Sequence, residues 1–104
     1  MSKLFLSLER RYQITCINKD SGNHENPHTA IRRLGWHDHS SGKTGYSTRL
    51  EMYDFVKQGG EAYVKDRYGN VAYLITAVTN LGTKYVKTVA DETKADNLLS
   101  LPEC

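Results

Sequence analysis

His24, His28, His37 and His39 fall in one short stretch, and with Cys16 and Cys104 they offer the nitrogen and sulfur ligands that zinc takes. Their spacing argues against a site. Structural zinc sites bring paired cysteines at short separation, which are absent here, and Pro27 breaks the helical geometry that would aim His24 and His28 at one ion. Solvated loop histidines, no metal and no cofactor are therefore expected. Cys16 beside a histidine and an acid would make a nucleophilic set, yet a cysteine flanked by Ile14 in an extended run behaves as a small buried hydrophobe. Gly42-Lys43-Thr44 matches the end of a phosphate-binding loop, but the glycine required five positions upstream is His37. No acid, base and nucleophile stand out together, so the chain reads as non-enzymatic, with no catalytic residue.

A different chemistry is spread over the second half. Lys43, Arg49, Lys65, Arg67, Lys84 and Lys87 mingle with Tyr46, Tyr53, Tyr63, Tyr68, Tyr73 and Tyr85, the mixture by which sheet surfaces stack bases and neutralise phosphates. Tyr63 shares strand parity with Lys65, and Tyr85 with Lys87. The candidate binding residues are Arg49, Tyr63, Lys65, Arg67, Tyr85 and Lys87. The plainer alternative is that tyrosines rim a small core while lysines solvate the outer face.

These residues need elements to position them. Tyr12 to Asn18 reads as a first strand, with Ile14 and Cys16 on one face and Thr15 and Ile17 on the other. Residues 1 to 11 suit a short amphipathic turn or an extended arm, and Lys19 to Asn26 is a polar surface loop. Asn26-Pro27 resembles a helix entry, with Ile31 and Leu34 spaced at three and Gly35 to stop it; a strand through Ile31 to Trp36 competes, and both stand. His37 to Gly45 has no apolar residue and is expected to be an exposed connection. The clearest helix spans about Thr48 to Gln58, where Thr48 and Glu51 have capping-box spacing, Met52, Phe55 and Val56 form one stripe, and Gly59-Gly60 ends it. A three-stranded meander follows: Glu61 to Asp66, Val71 to Thr79 and Thr83 to Ala90, with Gly69 and Gly82 in the turns. The middle strand is apolar on both parities and is expected to be covered on both faces at least in part. The core should hold Ile14, Phe55, Val64, Leu74, Ile75, Val78 and Val86. Leu98, Leu99 and Leu101 should bring the C-terminus back onto the domain.

Composition bounds the rest. The 104 residues suit one domain spanning 1–104, and seven Tyr, two Phe and one Trp with 25% charged residues are far from the signature of disorder. Counting Asp, Glu, Lys and Arg gives +3 for residues 1–47, +2 for 48–90 and −3 for 91–104, a basic body with an acidic tail. That excess is well below that of a dedicated nucleic-acid binder. No apolar run approaches a membrane span, and the opening apolar run is too short for a signal peptide. A monomer in the cytoplasm is expected, with both cysteines reduced.

Ile14-Thr15-Cys16-Ile17, Asn26-Pro27-His28, Ile31 with Leu34-Gly35, Tyr85-Val86-Lys87-Thr88 with Asp91, and above all Asp96-Asn97-Leu98-Leu99-Ser100-Leu101-Pro102-Glu103-Cys104 carry a resemblance. In these residues the chain resembles a family of roughly 100-residue bacterial proteins of unknown function. The resemblance implies a compact domain and brings no activity or catalytic residue. The expected fold is α+β: a four- to five-stranded, mainly antiparallel sheet with one main helix packed on it and a docked C-terminal tail. The expected function is non-enzymatic binding through a surface, either to a protein partner, as a phage-type or regulatory inhibitor would, or to single-stranded nucleic acid.

Overall fold

A computed structural model describes residues 11–22, 27–88 and 98–104. Six strands form one sheet: β1 (Arg11–Lys19), β2 (Ile31–Asp38), β3 (Lys43–Thr48), β4 (Glu61–Lys65), β5 (Val71–Val78) and β6 (Lys84–Thr88), with helix α1 (Arg49–Lys57) between β3 and β4. Their order is β3-β2-β1-β4-β5-β6. The sheet thus has more than the expected four or five strands, and it is mixed. All neighbours are antiparallel except β1 and β4, which run parallel over Arg11–Gln13 against Glu61–Tyr63. A parallel pair needs a crossover, and β2, β3 and α1 supply it.

Helix α1 forms where its caps predict. Thr48 Oγ1 accepts from the Glu51 amide at 3.1 Å and Glu51 Oε1 accepts from the Thr48 amide at 2.9 Å, closing a capping box. Gly59 then turns the chain at φ +104°, a conformation that disfavours any side chain. The helix packs against β6 and β5 and also against β2 and β3 at the other end of the sheet. Strands about 4.8 Å apart would put β3 and β6 roughly 24 Å from each other in a flat sheet, whereas a helix is about 10 Å across. The sheet must therefore curl around α1, and the core fills the concave side with Ile14, Ile17, Leu34, Phe55, Val64 and Leu74.

Four expectations change. The strand through Ile31 to Trp36 is the reading that holds: Pro27–Ala30 makes only a single 3-10 turn, and Ile31, Leu34 and Gly35 lie in β2 rather than in a helix. His37 to Gly45 is not one exposed connection: β2 runs to Asp38, β3 begins at Lys43, and only the turn between them is irregular. Asp38 builds that turn from a buried position, its carboxylate accepting from the Ser40 amide at 3.0 Å and from the Ser40 and Ser41 hydroxyls at 2.7 and 2.9 Å. In β5 only Ala72 and Leu74 are buried: Ile75, 39% exposed, is on the face that α1 does not cover, and Val78, 52% exposed, has the parity of Leu74 but stands at the end of the strand.

The fourth change is in β1. Its ladder with β2 pairs Ile14 with Trp36 and Cys16 with Gly35, so Thr15 is the extra residue of a β-bulge. Strict alternation would put Ile14 and Cys16 on one face; the bulge advances the parity by one, so Ile14 and Ile17 are both fully buried and Cys16 turns outward. There it is joined to Cys104, with the Cα atoms 4.9 Å apart, rather than remaining a reduced, buried thiol. Topology makes the meeting possible. Because β4 leaves β1 after Gln13, the side of β1 at Ile17 is open, and the chain end takes it: Ile17 N–H donates to Pro102 O at 3.0 Å and Cys104 N–H to Ile17 O at 3.1 Å. Leu98 is fully buried, with Leu99 and Leu101 packed at the core's edge. Residues 1–10 and the strand end at 89–90 lie outside the described residues, as does His24. Among the described residues no helix is long and apolar enough to cross a membrane.

Candidate functional site

The face of the sheet turned away from α1 follows from the register. Tyr63 pairs with Gln13 on one side and with Tyr73 on the other, Lys65 with Val71, and Ile75 with Lys87. Since Ala62, Val64, Ala72, Leu74 and Val86 face the core, their odd-numbered neighbours in β4, β5 and β6 all point outward. Arg11 draws this face together. Its guanidinium carbon stands 5.2 Å from the Tyr63 ring centre and 5.6 Å from that of Tyr73, and Nη2 donates to the Tyr73 hydroxyl. Nε is paired with Glu61 at 3.2 Å. The two tyrosine rings are 6.0 Å apart and tilted, and Tyr73 is 40% exposed.

On the β1–β2–β3 side the same face carries a second group. Arg33 lies 4.6 Å from the Tyr46 ring centre and donates from Nε and Nη2 to Asn18 Oδ1 at 3.2 and 2.8 Å. The His37 and His39 rings are 4.1 Å apart, with His39 Nε2 at 2.6 Å from Gln13 Oε1. The disulfide lies over Gly35, which pairs with Tyr46 and stands between Arg33 and His37 along β2. Among the described sheet residues pointing this way, Arg11, Arg33, Lys65 and Lys87 stand against Glu61, which is already paired with Arg11. This excess of cations over carboxylates among them favours anions.

The six candidate residues divide. Tyr63, Lys65 and Lys87 share the outer face. Tyr85 has the same parity, but its ring is half-buried in a stack on His28, with centres 5.9 Å apart. Arg67 sits in the β4–β5 turn over the exposed ring of Tyr68. Arg49 belongs elsewhere: Nε donates to Lys84 O and Nη1 to Thr29 O, each at 2.9 Å, tying β6 to the 3-10 turn before β2. Arg11, Val71 and Ile75 also lie on the outer face, as does Tyr73, one of the general tyrosines. Its place was legible, since the four-residue turn at 67–70 sets Tyr73 opposite Tyr63; that of Arg11 was not, because the parallel β1–β4 pairing is long-range.

For metal, both sulfurs are bonded to each other and His28 is stacked on Tyr85, away from the His37–His39 pair. Among the described residues no group of three or more His, Cys, Asp or Glu is arranged to hold an ion. No curated protein and no solved structure matches the chain. One family does, over residues 13–102, from the outward Gln13 of β1 to the Pro102 that bonds to Ile17. The chain therefore belongs to the DUF3892 family, described as proteins of unknown function.

Proposed function

We propose that the protein is a non-enzymatic binding module that takes single-stranded nucleic acid on the sheet face opposite α1. The observation that carries this is the Arg11–Tyr63–Tyr73 cluster flanked by Lys65 and Lys87. Phenol rings and a guanidinium plane stack splayed bases, and ammonium groups beside them, two residues along β4 and across on β6, neutralise phosphates. Single strands suit a sheet face better than duplex does, because α1 has its apolar side in the core and carries few cations to enter a major groove. One chain builds the whole face, so a monomer suffices.

Fluorescence anisotropy with labelled deoxythymidine and uridine oligomers at low salt tests this. Binding should weaken steeply as salt rises, and Lys65→Glu with Lys87→Glu should weaken it and flatten the salt slope. Tyr73→Ala should cost about 1 to 3 kcal/mol of binding. No binding at tens of micromolar protein would refute it.

A protein partner is the second reading, favoured by Val71 and Ile75, which are exposed on the outer face of β5 on either side of Tyr73. Contact through these apolar side chains would weaken little as salt rises.

A further inference from the structure

We propose that Cys16–Cys104 is a thiol–disulfide exchange site whose reduction unlatches only the last residues of the chain. The inference stands independently of what the outer face binds. Three observations lead to it. The bond lies on the outer face over Gly35, which both sulfurs approach, and Cys104 is an exposed residue while Cys16 is half-buried, so the Cys104 side is the more open to a reductant in water. Beyond the disulfide, the chain end is held to β1 by the two backbone hydrogen bonds at Ile17 and a long contact from Asn18 Nδ2 to Glu103 Oε1 at 3.4 Å. Upstream, Leu98 is fully buried and Leu101 N–H closes a turn onto Leu98 O at 3.3 Å. The anchor and the latch are thus separate, and the free segment begins after that turn.

The exchange balances with a dithiol as reductant. One thiolate of the dithiol attacks Cys104 Sγ, a mixed disulfide forms, and Cys16 leaves as a thiolate that takes a proton from water. The second thiol of the dithiol, deprotonated, attacks its own sulfur in the mixed disulfide and releases Cys104, which is protonated in turn. The protein gains two electrons and two protons, and the dithiol becomes a disulfide. Residues 102–104 are then held at an exposed site by hydrogen bonds that water replaces at little cost. Their departure bares the N–H and C=O of Ile17 on the open side of β1, a place where another strand can pair.

The test uses the full chain with and without dithiothreitol, reading amide hydrogen exchange by NMR and trimming by a carboxypeptidase. Reduction should speed exchange at Ile17 by at least about tenfold more than at Leu34 and Val64, whose protection falls only with the global stability. The carboxypeptidase should shorten only the reduced form. The double variant Cys16→Ser with Cys104→Ser should behave like the reduced protein and ignore dithiothreitol. Ile17 exchange that is the same in both forms would overturn the proposal. So would a loss of protection at Leu34 and Val64 as large as that at Ile17, which means unfolding rather than unlatching, or a disulfide that dithiothreitol reduces only in denaturant.

Discussion

Gly35 and Cys16 face each other across the β1–β2 ladder, and the sulfur of one fills the space that a side chain on the other would need. A Cβ at position 35 would clash with Cys16 Sγ and crowd Cys104 Sγ. Gly35→Ala should therefore cost about 1 to 3 kcal/mol, the range for overpacking a filled site. It should also lower the fraction of protein with the disulfide closed. Denaturant melts and thiol titration measure the two effects, and an alanine variant as stable and as oxidised as the parent would show the notch to be slack.

The disulfide joins residues 88 apart in sequence, so it restricts the unfolded chain over most of its length. Replacing both cysteines by serine should lower stability by about 2 to 4 kcal/mol, toward the upper part of the range for long loops. Melts of the wild type with and without reductant, set beside the double variant, check this. Equal midpoints in all three would mean that the pairing does not constrain the unfolded state.

Leu74 and Ile75 are neighbours with opposite fates, one in the core and one on the outer face. Leu74→Ala should cost about 2 to 5 kcal/mol, and Ile75→Ala about 0.5 kcal/mol or less. Comparable losses at both positions would show that a second layer covers the outer face.

Arg49 and the lysines of the outer face should separate stability from binding. Arg49→Ala removes two hydrogen bonds from a charged donor to the main-chain carbonyls of Thr29 and Lys84, at an expected cost of about 1 to 3 kcal/mol. Affinity for an oligonucleotide should be unchanged. Lys65→Glu and Lys87→Glu should leave the melting midpoint nearly as it was and weaken binding. The opposite pattern would return Arg49 to the binding surface.

What could be read in the sequence was local chemistry. Thr48 and Glu51 are three residues apart and cap a helix wherever it packs; Gly69 and Gly82 supply the positive φ of their turns, at +91° each, and so place β4, β5 and β6 in a meander. Parity within that meander put Tyr63 and Lys65 on one side and Tyr85 and Lys87 on one side, because side chains alternate whatever the strands pair with. Tertiary structure decided the rest. The bulge at Thr15 reverses which residues of β1 face the core, and nothing in Tyr12 to Asn18 marks it, since Ile14, Cys16 and Ile17 suit either parity. Arg11 reaches Tyr63 and Tyr73 only because β1 and β4 run parallel side by side, and Cys104 reaches Cys16 only because β4 then leaves β1 open at Ile17. Such contacts depend on which distant segments share a sheet edge, a property of the whole chain's packing that no short stretch of residues contains.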